Sequence, residues 1–176
     1  MRKAKTMRLA DLLDRCLVLE ERVAAVYRTF AATPNDEAEL WAGLAAEEEA
    51  HAGSIREARG SLGPNEGSLI AVDGCEATLA DVERRLEEAE ALDAAVSQDR
   101  RLIAALNIEL SEIEVLRQLA LRAIGRLHVP DQDHGHLGRL ADAARRRSGS
   151  DHVRLAAALL LARERLAATA SAPMKW

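Results

Sequence analysis

The sequence predicts an all-α fold, a four-helix bundle of two antiparallel hairpins joined by a long crossover, with an additional C-terminal helix. Three observations carry it. Ala and Leu supply about a third of the chain, and charged residues another 30%, a composition of good helix formers. Aromatics are only 2%, too few for the sandwiches and barrels that lean on aromatic and β-branched residues. Apolar residues recur at helical spacing in long stretches separated by Pro, Gly and Ser.

The elements follow in order within a single expected domain, 1–176. Leu9, Leu13, Cys16, Val23, Tyr27 and Phe30 mark a first helix over 6–32. Thr33 is positioned to cap a second helix and Pro34 suits its first turn, so that helix is expected over 34–59 with Leu40, Trp41, Leu44 and Ile55 inward. The Gly-rich stretch from Gly60 opens a crossover, 60–96, containing a short charged helix. Ser97 can cap a third long helix over 97–125, carrying Leu102, Leu106, Ile113, Leu116, Ala120 and Ile124. A fourth helix over 131–147 holds Leu137, Leu140 and Ala144, and an Ala/Leu-rich tail helix is expected over 150–170. The tight links make consecutive long helices antiparallel, and the long connection between the pairs is one of the standard bundle topologies.

Net charge is −5, which argues against general nucleic-acid binding, since phosphate neutralisation needs a basic face. The longest apolar run, Leu155 to Ala162, falls far short of the ~20 residues a bilayer requires, so no membrane association is expected. The basic start runs into Asp11 and Asp14 instead of an apolar stretch, and Cys16 and Cys75 form no CxxC pair. Both point to a cytoplasmic protein.

Acidic residues interrupt the apolar seam. Glu20 lies between Cys16 and Val23, Glu48 and His51 lie between Leu44 and Ile55, and Glu109 lies between Leu106 and Ile113. An unpaired carboxylate in a bundle interior costs several kcal/mol, so such groups pair, protonate or bind a cation. Glu20 and Glu48 stand at similar distances before and after Thr33, which brings them to nearly one level of the first hairpin. The two hairpins also resemble each other: Leu19-Glu20 through Phe30-Ala31 aligns without gaps on Ile108-Glu109 through Leu119-Ala120.

Glu48-x-x-His51 puts a carboxylate and an imidazole on one helical face. Together with Glu20, Tyr27, Phe30 and Leu40-Trp41-x-x-Leu44-Ala45-x-Glu47-Glu48-x-x-His51, the sequence resembles the ferritin-like superfamily, and within it the rubrerythrin branch. The resemblance is good over 9–59, fair over 97–124 and poor beyond. It implies a carboxylate-bridged metal site with Glu20, Glu48, His51 and Glu109 as ligands, Glu48 bridging, and Glu112 as a further candidate. Two carboxylates and one imidazole suit iron or zinc, and with iron the resemblance implies peroxide or oxygen chemistry of an oxidoreductase. The fourth helix departs from the pattern, because the alignment of Leu44 on Leu140 puts Ala144 at the position of Glu48 and Arg147 at that of His51. The rubredoxin-type module with its paired CxxC motifs is missing as well. The second half-site is therefore expected to be degenerate, leaving a single metal on Glu20, Glu48 and His51.

Two further expectations come from the residues. Arg147, in place of a ligating histidine, could point inward and neutralise the acidic layer through its guanidinium. Tyr27 is expected to pack in the seam. The competing functional reading is a non-catalytic helical interaction module, in which the stripe Leu155, Leu159 and Leu166 covers the bundle or forms a homodimer. Asp131, Asp133, His134 and His136 read as solvated turn and cap residues.

Overall fold

The computed structural model describes the backbone of residues 6–33, 37–62, 69–71, 75–93, 95–109, 111 and 134–147, with side chains except those of 69–71, 75, 134–137 and 147. These residues are mostly helical. β1 (Thr6–Arg8) leads into α1 (Leu9–Ala32), followed by α2 (Ala38–Gly60), β2 (Leu69–Ala71), α3 (Cys75–Glu90), α4 (Gln98–Glu109) and α5 (His134–Arg147). The expected helix 97–125 is described as regular helix only to Glu109, and the expected tail helix over 150–170 lies outside the described residues.

α1 forms because its apolar residues fall on one face. Leu9, Leu12, Leu13, Cys16, Leu19, Val23, Val26, Tyr27 and Phe30 are all buried, a continuous i, i+3, i+4 stripe. That stripe packs on Trp41, Leu44, Ile55 and Ala58 of α2, the most extensive helix–helix contact among the described residues. Ion pairs along the rim record the direction: Asp14 pairs with Arg59, Glu21 with Arg56 and Arg28 with Glu49. Numbers rise on α1 as they fall on α2, the mark of an antiparallel hairpin. Exposed as they are, these pairs contribute little energy and serve chiefly as register markers.

The link between α1 and α2 differs from expectation. The hydroxyl of Thr33 donates to the carbonyl of Thr29 at 3.1 Å and so satisfies one of the last carbonyls of α1; residues 34–36, where its expected cap of the second helix falls, lie outside those described. α2 begins at Ala38 behind Glu37, which offers no side-chain cap. Further along the chain Ser97 does cap, its hydroxyl accepting the N–H of Arg100 at 3.4 Å.

A second difference lies at the start of the chain. Thr6–Arg8 is extended rather than helical, and pairs antiparallel with Leu69–Ala71 in the register Thr6↔Ala71, Met7↔Ile70, Arg8↔Leu69. A two-stranded ribbon is marginal by itself. This one is anchored by Met7, which packs against the core, and by Leu9, buried one residue past the strand. The apolar triplet in the crossover supplies the backbone partner that turns the first residues away from helix.

The crossover helix is also more than a charged spacer. Leu79, Val82, Leu86 and Ala89 of α3 are buried in the core at heptad-like spacing. Arg15 pairs with Glu83 at 2.7 Å, and Arg22 binds Glu90 through two hydrogen bonds of 2.8 Å. The seven-residue step has the same sign on both helices, so α3 runs parallel to α1. The chain thereby returns to the end where α2 began, and Gln98 at the start of α4 donates to Glu37 at 2.8 Å. α5 packs on α4 and α2, with Leu140, Ala141, Ala143 and Ala144 buried and Arg139 paired with Glu47.

Candidate metal centre

The inward face of α1 carries one carboxylate, Glu20, a turn beyond Cys16 and nearly a turn before Val23, and all three are buried. On α2, Glu48 and His51 interrupt the stripe between Leu44 and Ile55 at i, i+3 spacing, which stacks their side chains on one face. The antiparallel hairpin brings both helices' polar residues together. Glu20 is 1% exposed, Glu48 3% and His51 8%. One ligand atom from each of the three lies within 4.8 Å of the other two.

Within this group His51 Nδ1 is 2.9 Å from Glu48 Oε2 and 3.8 Å from Glu20 Oε2. Glu20 Oε2 is buried and has no hydrogen-bond partner among the described residues. Leaving such an acceptor unsatisfied costs about 1–3 kcal/mol, more when it is charged. Without a cation the group approaches neutrality only by taking up protons, whereas two carboxylates, a neutral imidazole and a divalent cation sum to zero. The donor set of two oxygens and one nitrogen suits iron or zinc, leaving positions open for water. On these grounds the residues present fit a metal.

Burial holds the Glu48 carboxyl well above the usual carboxylate range; the hydrogen bond with His51 pulls the other way, and the nearby charges of Glu20 and Glu109 add to the rise. The sign for stability follows. The folded state keeps a proton on Glu48 at a pH where the unfolded chain, near the ordinary value of 4.5, has lost it. This contribution is complete below that value and is lost as pH rises through the folded one. Chelated protein is therefore expected to lose stability as pH rises from 4.5 towards the value at which folded Glu48 gives up its proton, by up to about 1.4 kcal/mol per pH unit. Urea midpoints measured in chelator across a pH series above 4.5 check this, and a midpoint that rises steadily with pH would contradict it.

Glu109 does not join the group of three. Tyr27 is fully buried, and its hydroxyl donates to Glu109 Oε1 at 2.8 Å. Burial, then the charges of Glu109 and Glu48, push the phenol well above its usual range, so it stays a neutral donor. Tyr27 thus packs in the seam and also engages a carboxylate there, a pairing that the separation of 82 residues hides from any local reading of the chain. Glu112 lies outside the described residues.

On α5, Ala144 is buried, so the position aligned with Glu48 faces the interior with a methyl group instead of a carboxylate. Arg145 and Arg146 are exposed; the side chain of Arg147 lies outside those described. Another arginine is interior: Arg101 of α4 is 3% exposed, with its guanidinium 5.8 Å from the centre of the Phe30 ring. Its spacing to Ala105 and Ile108, both buried, was the signal that could have found it.

No family model matches the chain, and neither a curated protein nor a solved structure matches it significantly. No helix among the described residues is long and apolar enough to cross a membrane.

Proposed function

We propose that this protein is a ferritin-like helical bundle of the rubrerythrin type with one metal half-site, holding a single iron or zinc ion through Glu20, Glu48 and His51. The observation that carries the reading is the buried group of two carboxylates and an imidazole, in which Glu20 Oε2 has no hydrogen-bond partner among the described residues. The direction of α3 and the return of α4 beside the start of α2 support the crossover bundle that the resemblance implies. The buried methyl of Ala144 supports a degenerate second half-site.

Iron bound there would supply peroxide or oxygen chemistry. The chain's own residues do the rest. Glu20 and Glu48 would neutralise the ion and His51 would offer it a ring nitrogen, so uptake would displace the protons these groups hold. The buried neighbours Cys16, Val23, Leu44 and Ile55 keep bulk water from the carboxylates. The competing reading, an interaction module whose acidic layer is neutralised by arginine, rests on Arg147, whose side chain lies outside those described; its alternates Arg145 and Arg146 are exposed.

Elemental analysis after anaerobic loading with iron(II) or zinc tests the proposal. The expected result is about one metal per chain in the wild type, and an affinity lower by at least about 100-fold in Glu20→Ala. Folded wild-type protein that retains no metal would end this reading and favour the interaction module.

A further inference from the structure

The three side chains of the buried group are not equally enclosed. His51 is 8% exposed, against 1% for Glu20 and 3% for Glu48, so it is the member nearest to solvent. Helical stacking sets the edge of α2 on which it stands. Glu47 lies one turn before it on the same side, and Glu47 pairs with Arg139 of α5. The opposite edge of α2 is turned to α1, where Glu49 meets Arg28 and Arg56 meets Glu21. His51 therefore approaches the surface along the line where α2 faces α5.

An open groove runs along that line. Glu39, Gly43 and Glu47 of α2 border it, with Arg139, Asp142 and Arg146 of α5. Space is open over Gly43, where a Cβ would meet nothing within 4 Å. Among these residues three carboxylates stand against two guanidiniums, a balance that favours a cation over an anion. Glu47, the groove residue nearest to His51 along α2, is about 6 Å from it in axial rise.

We propose that metal reaches Glu20, Glu48 and His51 through the groove between α2 and α5, passing Glu47 and Arg139 on its way to His51. This rests on the metal-site reading above. The three buried ligands set the affinity, and the two charges at the mouth set the rate: Glu47 draws a divalent ion in and Arg139 opposes it.

Stopped-flow zinc uptake, release into excess chelator and a parallel affinity titration test the route on wild type, Arg139→Gln, Glu47→Gln and Glu49→Gln. The replaced side chains all reach solvent, and circular dichroism checks helicity. Arg139→Gln is expected to take up and release zinc about three- to fivefold faster at low salt, since a positive charge leaves the path of a divalent ion. Glu47→Gln is expected to slow both steps by a similar factor. Affinity should stay within about threefold in each, because the ligands are untouched, and the rate differences should shrink at high salt. Loosening of a surface ion pair alone would move these two variants in the same direction. Glu49→Gln, on the edge that faces α1, is expected to keep both rates within about twofold of wild type. Zinc binding with wild-type rates in Arg139→Gln and Glu47→Gln would overturn the route and leave the three-residue site standing. A change in Glu49→Gln as large as theirs would do the same. Absence of zinc binding in all four proteins would overturn the site and the route together.

Discussion

Glu20→Leu is expected to abolish metal uptake and, in the same molecule, to stabilise the metal-free fold by about 1–3 kcal/mol. The two effects share one cause. Glu20 is 1% exposed, and its Oε2 has no hydrogen-bond partner among the described residues. Its neighbours on the inward face, Cys16, Leu19, Val23 and Ala24, are buried and largely apolar. Leucine fills a similar volume, adds apolar burial and removes a carboxylate that works against Glu48, while Glu48 keeps its 2.9 Å contact with His51. Removing a buried carboxylate oxygen that has no hydrogen-bond partner relieves its desolvation cost. Metal works in the opposite direction, because a ligand at 100 times its Kd stabilises the wild type by about 2.7 kcal/mol and the variant not at all. Paired urea melts, with chelator and with zinc, read both effects. A Glu20→Leu midpoint below that of wild type in chelator would mean that Glu20 is satisfied without metal.

Trp41→Ala is expected to cost about 3–5 kcal/mol, the range for deleting a large buried aromatic. Trp41 is fully buried at the start of α2, with its ring centre 5.2 Å from that of Phe30 in an edge-on contact and 5.9 Å from that of Tyr27. This aromatic cluster joins the end of α1 to the beginning of α2 at the closed end of the hairpin. A loss of that size is a large part of the 5–15 kcal/mol typical of a domain. Trp41→Phe should cost less than half as much, because Nε1 has no hydrogen-bond partner among the described residues and none is lost with it. The alanine variant is also expected to loosen Tyr27, which packs against the indole. Thermal or urea denaturation of the two variants decides the matter, and an alanine cost under about 1 kcal/mol would show that α2 repacks over the gap.

Much of the helical core was legible because one face of each helix carries a local periodic signal. The stripe on α1, the inward turn of Glu20, Glu48 and His51, and the burial of Leu140 and Ala144 all follow from spacing within single helices. Ser97 was legible as a cap because capping needs only the hydroxyl and the next turn of backbone. The bond that Thr33 donates backwards was not legible, since its hydroxyl had carbonyl oxygens behind it as well as amide hydrogens ahead, and it donates to the end of α1. The crossover helix was read as charged because its polar residues outnumber its apolar ones, although Leu79, Val82, Leu86 and Ala89 already stood at heptad-like spacing.

What the sequence by itself determined is the helical class and the identity of the inward-facing polar residues, because helical periodicity is a short-range property of the chain. What only the tertiary structure decided is which of those residues meet. It joined Glu20 to a pair 28 and 31 residues further along, gave Glu109 to Tyr27 instead of to that group, and buried Arg101 over Phe30. It also drew Thr6–Arg8 out of the helix to pair with Leu69–Ala71. The reason is common to all four. A buried polar group or an open strand edge takes the partner that packing brings within hydrogen-bond or ring-contact range, and that range is set by how elements far apart in sequence dock against one another.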